Sequence, residues 1–264
     1  MVFDEFVKSY ILWYNIFVKK ENERLIKMNE NKEDFGKLIE LVVDVNTEVR
    51  SNKKRNLEKL KNILIIIPAL LIAITVHEFG HAFIARKYGD DTAKDRITLN
   101  PFKHIDWIGL LSLFICGIGW GKPVEIDPNN FKKKNIPIDR IEAIVALAGP
   151  VANLITAVLL MVLIRVFLSI GIIGLLKNYV LFEILKIAVL INIGMGVFNL
   201  IPIPPLDGYK IVKPFIGNEI VNIVTKYETI ITTTFIVYIL ISNGTFMSRI
   251  IYSIYNLLGK LVLL

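Results

Sequence analysis

Residues 62–86 read Asn62-Ile63-Leu64-Ile65-Ile66-Ile67-Pro68-Ala69-Leu70-Leu71-Ile72-Ala73-Ile74-Thr75-Val76-His77-Glu78-Phe79-Gly80-His81-Ala82-Phe83-Ile84-Ala85-Arg86. A helix rising about 1.5 Å per residue needs roughly 20 such residues to cross the hydrocarbon of a bilayer, and this run supplies them. His77, Glu78 and His81 lie in its second half, at a depth where polar groups are costly and mark function. Positions four apart share a helix face, so both imidazoles can reach one tetrahedral zinc at about 2.0 Å. Glu78 directly follows the first histidine, placed to take a proton from an attacking water. The alternative, two hydrogen-bonded histidines on a buried face, leaves three polar groups to be paired in hydrocarbon.

Composition agrees with a membrane setting. Of 264 residues, 54% are hydrophobic and 21% charged, with a mean hydropathy of +0.55, too oily for a soluble domain of this size. The net charge of +7 comes from Lys and Arg gathered between apolar runs, which membrane flanking explains and nucleic acid binding does not require. Cys116 is the only cysteine, which excludes an internal disulfide and a cysteine-based metal site. The first spanning run starts near Ile63 behind a charged segment and does not read as a cleavable signal.

The expected architecture is an all-α polytopic membrane protein. Its three-helix catalytic core lies within a bundle of about five or six transmembrane segments, with a short re-entrant or hairpin element. Residues 1–61 read as a charged helical extramembrane extension, 62–212 as the core and 213–264 as C-terminal transmembrane segments. Spans are expected at about 141–168 and 180–201, with weaker ones at 229–241 and 246–264. The apolar run 108–119 is too short to cross and is rich in glycine, so it is expected to turn back. Pro202, Pro204 and Pro205 must end the span before them.

A catalytic zinc takes three protein ligands and keeps one position open. The one histidine left, His104, sits in a polar loop, and Asp207 is the leading candidate. It follows the proline break, and irregular backbone at membrane depth is tolerated where it lines a cavity. A capping role at a helix end is the alternative for Asp207. The two histidines and Asp207 can share a metal only if the first and third core spans run in one direction and 141–168 runs in the other. That brings Gly149, Pro150 and Asn153 to the same side. Asn153 reads either as a substrate or oxyanion contact or as an interhelical hydrogen bond. His104, near Asn100 and Asp106, reads as structural rather than catalytic.

Several motifs in order carry a family resemblance: Val76–His81, Leu99-Asn100-Pro101 with His104-Ile105-Asp106, Gly119-Trp120-Gly121-Lys122-Pro123-Val124, Ala148-Gly149-Pro150 with Asn153, and Asn199 through Gly208. The chain resembles the site-2 protease family of intramembrane zinc metalloproteases, in its compact branch without a PDZ domain. The resemblance implies zinc held by His77, His81 and Asp207, one ion per chain, with Glu78 as the catalytic base. It implies hydrolysis of peptide bonds within or near transmembrane helices of membrane protein substrates. Trp107 stands where relatives often carry proline, and the N-terminal extension is unusual for the compact branch and is expected to meet any regulator. A zinc carrier or scaffold that kept the motif is the competing class, but the spans offer few further acidic or histidine sites along a path.

The expected partners are therefore transmembrane-helix substrates and the lipid bilayer, without nucleic acid. The expected location is the cell membrane. Ten Lys or Arg between residues 86 and 140 favour a cytoplasmic catalytic face, while Lys53, Lys54, Arg55, Lys59 and Lys61 argue the other way from the opposite end of the first span.

Overall fold

The computed structural model describes residues 52–108, 121–132, 135–170, 179–241 and 245–263. The expectations for the run 108–119 and for most of the extension 1–61 fall outside these residues. Among the described residues seven α-helices follow in order: α1 (Asn52–Lys87), α2 (Ile138–Ser169), α3 (Tyr179–Asn199), α4 (Asp207–Val212), α5 (Asn218–Lys226), α6 (Glu228–Ile241) and α7 (Thr245–Leu263). Among the described residues no strand forms, only an isolated antiparallel bridge between Ile105 and Gly121. This is an all-α membrane protein. Helix α1 begins at Asn52, so the charged residues ahead of the span are wound into the same helix as the span itself.

Three described helices are long and apolar enough to cross a bilayer: Leu64–Lys87 within α1, Ile138–Ser169, and Val180–Asn199 within α3. The most apolar of them is α2, yet only 17% of its spanning window is buried inside the protein. Side chains such as Ile155, Leu159 and Val162 point outward, and lipid is the medium that tolerates such a surface. Of the five or six spans expected, these three are found. Helix α6 has only 14 residues, and α7 is diluted by Arg249, Ser253, Asn256 and Lys260.

The core rests on rows of residues spaced by four, the ridge along which helices pack. On α1 the row Ile65, Ala69, Ala73, His77, His81 and Ala85 is buried throughout, and on α2 so is Ile141, Val145, Gly149, Asn153, Ala157 and Met161. The buried residues Ala188 and Asn192 on α3, followed by Gly196, complete the arrangement. Small residues permit close approach: a Cβ at Gly80 would lie 2.6 Å from the Ala148 carbonyl oxygen, and one at Gly196 would lie 3.0 Å from that of Pro150. Ile65, Ala69 and Ala73 pack on Ile187, Ala188 and Ile191, while Met247 and Ile251 of α7 close over Ala157, Met161, Val189 and Ile193. The histidines therefore stand on the packing ridge of α1, facing the other two core helices.

Candidate metal centre

Helix α3 ends at Asn199, and the chain turns through Pro202, Pro204 and Pro205 before α4 starts at Asp207. The Thr232 hydroxyl of α6 donates to the Pro204 carbonyl at 2.7 Å and ties this turn down. A Cβ on Gly208 would collide with the carbonyl oxygens of Leu200 and Ile201, so glycine lets the turn fold tightly enough to carry Asp207 back to α1. Asp207 is buried.

The result is a triangle of ligand atoms. His77 Nε2 and His81 Nε2 are each 3.1 Å from Asp207 Oδ2, and 3.1 Å from each other. Ligands at about 2.0 Å from a tetrahedral zinc stand roughly 3.3 Å apart, so the three atoms are spaced as such an ion requires. These residues form the one group of His, Cys, Asp or Glu among the described residues that could hold a metal ion.

Hydrogen bonding fixes what the three atoms present. His77 Nδ1 lies 2.6 Å from Asn153 Oδ1, and His81 Nδ1 lies 2.8 Å from the Val145 carbonyl oxygen. Both partners can only accept, so both Nδ1 atoms carry the hydrogen and donate it. In the neutral rings both Nε2 atoms then offer lone pairs, and Asp207 offers a carboxylate oxygen. Three electron-pair donors converge without a hydrogen among them, an arrangement that a cation resolves. Gly149 makes room for the two imidazole rings: a Cβ there would lie 2.6 Å from His81 Cε1 and 2.9 Å from His77 Cε1.

The other sequence candidates fall at different distances from this triangle. Asn153 is fully buried on α2; besides receiving the His77 hydrogen, its Nδ2 donates to the Ala73 carbonyl at 2.9 Å and to Asn192 Oδ1 at 3.0 Å. Both of its amide hydrogens are committed inside the helix bundle. Glu78 is half-buried, and its Oε2 accepts the Val124 N–H at 2.9 Å. His104 is buried in the loop after α1 and is not one of the residues that form the triangle. Its Nε2 donates to the Thr98 carbonyl at 2.9 Å, and its own carbonyl accepts the Lys122 N–H at 2.9 Å. Burial pushes the His104 pKa down, the nearby Arg96 charge adds to that, and the Thr98 bond offsets part of it.

Sequence reasoning missed four contributors. Asn192 was readable as a lone amide in an apolar span. Arg96, which donates through Nη2 to the Lys122 carbonyl, carries no such mark. The Val145 carbonyl and the Val124 N–H are backbone groups, which no residue type announces.

The family model described as peptidase family M50, the site-2 protease family, matches residues 65–177 and 167–242. The chain belongs to peptidase family M50. As an M50 peptidase it is a metalloprotease, and the expected enzyme class holds. This M50 chain is 33% identical over 184 residues to "Putative zinc metalloprotease YwhC" of Bacillus subtilis, covering 69% of this chain and 82% of that one. It is 34% identical over 161 residues to "Putative zinc metalloprotease Rip2" of Mycolicibacterium smegmatis, and there it spans 59% of the relative's length. "Zinc metalloprotease MJ0392" of Methanocaldococcus jannaschii is 26% identical over 150 residues, covering 57% of this chain and 34% of that one. No solved structure matches the M50 chain.

Proposed function

We propose that this M50 peptidase is an intramembrane endopeptidase that binds one zinc ion through His77, His81 and Asp207, uses Glu78 as its base, and cuts within or near transmembrane helices. The observation that carries the reading is the convergence of two imidazole lone pairs and a carboxylate oxygen at 3.1 Å spacing on helices long enough to span a bilayer. Residues 62–212 are the proposed catalytic unit, with 213–264 closing around it.

His77, His81 and Asp207 would hold the zinc, which would supply Lewis acidity toward the scissile carbonyl and toward water. His77 and His81 are oriented for it by their Nδ1 hydrogens, which are given to Asn153 and Val145. Glu78 takes the proton of the attacking water on its carboxylate and passes it to the departing amide nitrogen. The Val124 N–H fixes one oxygen of that carboxylate and leaves Oε1 for the proton. Asn153 is assigned to hold His77, since neither of its amide hydrogens is left for a substrate oxyanion. The substrate helix must unwind locally to bring a carbonyl into the site, because an intact helix keeps its carbonyls hydrogen-bonded. Basic residues in the last turn of α1 and in the loop after it, among them Arg86, Lys87, Lys94, Arg96 and Lys103, support a cytoplasmic catalytic face in the cell membrane.

The test is cleavage of a reporter with a single transmembrane helix by purified protein in lipid nanodiscs, with the cut mapped by mass spectrometry. A cut inside the apolar segment or its flanks, abolished by a zinc chelator and restored by zinc, is expected. Cuts confined to soluble parts of the reporter would overturn the intramembrane reading.

A further inference from the structure

Behind the metal-facing edge of His77 lies a chain of amides that ends on the third core helix. Asn192 is buried in the middle of α3, and its Nδ2 donates to the carbonyl of Ala188, one turn back on its own helix, at 2.8 Å. That bond decides which way the Asn192 amide faces: the oxygen points outward to α2. Asn192 Oδ1 accepts from Asn153 Nδ2 at 3.0 Å, and the Ala73 carbonyl of α1 accepts from the same nitrogen at 2.9 Å. The two acceptors decide the orientation of Asn153 in turn, since an amide turned by 180° would set its oxygen against both. With Nδ2 fixed, Oδ1 faces His77 Nδ1 at 2.6 Å, and His77 presents a lone pair at Nε2 toward Asp207.

We infer that Asn192 is a positioning residue for His77, acting through Asn153 to hold the imidazole in its metal-binding tautomer and orientation. Asn192 touches neither the ligand triangle nor Glu78 in any hydrogen bond described, so its influence runs through the Asn153 amide. The inference rests on the proposed metal site. It adds a third helix to the support of that site: α1 carries the histidine, α2 the amide that receives its hydrogen, and α3 the oxygen that orients the amide. Outer partners of metal-bound histidines typically change metal affinity by about tenfold to hundredfold when removed. An ordinary interhelical hydrogen bond, by contrast, affects the packing of α2 on α3 and leaves the metal alone.

The experiment measures zinc affinity of the full chain in detergent by competition with a chromophoric chelator, with thermal stability read in parallel. Asn192→Leu keeps the branching at Cγ and removes the orienting oxygen, and zinc affinity should fall by about tenfold to hundredfold. Asn153→Ala should fall at least as far, and the Asn192→Leu, Asn153→Ala double variant should bind no more weakly than Asn153→Ala alone, because both act along one path. Asn192→Asp in its neutral acid form donates its O–H to the Ala188 carbonyl in place of Nδ2 and keeps an acceptor oxygen opposite Asn153, so it should stay close to wild type; it also serves if the leucine variant does not fold. Wild-type affinity in Asn192→Leu, an additive double variant, or an aspartate variant as weak as Asn153→Ala would each overturn the inference. Asp207→Ala separates this from failure of the site itself: if that variant keeps zinc, the proposed metal site is wrong, whereas loss there with full binding in Asn192→Leu refutes only the positioning role.

Discussion

Replacing Gly149 by alanine probes the ligand triangle with a single methyl group. The added Cβ would stand 2.6 Å from His81 Cε1, 2.9 Å from His77 Cε1 and closer still to His81 Nε2. Carbon atoms in ordinary contact keep about 3.5–4.0 Å, so the rings must retreat by roughly 1 Å. The helices cannot separate easily to absorb this, since the Ala148 carbonyl already lies against Gly80 of α1 and His81 holds the Val145 carbonyl. Metal-ligand distances tolerate about 0.2 Å, far less than the displacement, so at least one histidine is lost from an ion shared with Asp207. We expect zinc affinity to fall by about 100-fold or more, or about 2.8 kcal/mol at about 1.4 kcal/mol per tenfold. The helix itself should survive, because alanine is favoured over glycine in helix interiors by up to about 1 kcal/mol. Chelator competition measures the affinity and circular dichroism the helix content. A Gly149→Ala protein that binds zinc as tightly as wild type would refute the placement of the metal between α1 and α2.

Asp207→Ala should fold and lose its zinc, as measured by metal analysis after dialysis; a full complement of zinc would remove Asp207 from the site. Val124→Pro deletes the N–H on Glu78, and losing a hydrogen bond to a charged group, worth about 1.5–3 kcal/mol, should lower kcat by about tenfold to hundredfold while zinc stays bound and Val124→Ala remains near wild type. The loop after α1 carries a pH dependence of its own. Burial alone would raise the Asp90 pKa, but hydrogen bonds from the Thr92 N–H and hydroxyl, the Asp127 N–H and Asn130 Nδ2 prevail and hold it below 3.8. A carboxyl with a depressed folded pKa contributes stability that is present above 3.8 and is lost as pH falls through the folded value. Thermal denaturation followed from about pH 5 down to about pH 2, through and below the unfolded value, should show this acid sensitivity, and Asp90→Asn should flatten it at a cost of about 1–3 kcal/mol at neutral pH.

The most legible part of the fold was the part that obeys a period. The spans of α1, α2 and α3 follow from apolar runs of sufficient length, and the proline break after α3 follows from residues that cannot donate to a helix. The row from Ile65 to Ala85 could be read at steps of four, which puts His77 and His81 on the packing face. Asp207 was reachable because it follows prolines that interrupt a spanning helix, and because the first and third core spans, run in one direction, bring it to the histidines' side. What eluded sequence reading depends on contacts between distant backbone groups. Val124 meets Glu78, and Val145 meets His81, through atoms that every residue possesses. Asn153 was singled out, yet its direction was open, because an amide can serve an oxyanion or a neighbouring ring equally well until its hydrogens have been assigned. Helix α1 runs continuously from Asn52 into the span, because charged residues such as Lys53 and Glu58 stop a membrane span but not a helix.

The proposed reaction is hydrolysis of peptide bonds in transmembrane helices, with Glu78 as base beside a zinc held by His77, His81 and Asp207. Glu78→Gln tests it most directly, since the amide preserves size and hydrogen bonding to Val124 but cannot take up the proton. In one sample of that variant, zinc content and cleavage of the transmembrane reporter are measured together. One zinc per chain with cleavage abolished is expected; cleavage at the wild-type rate with zinc bound would remove Glu78 from the reaction.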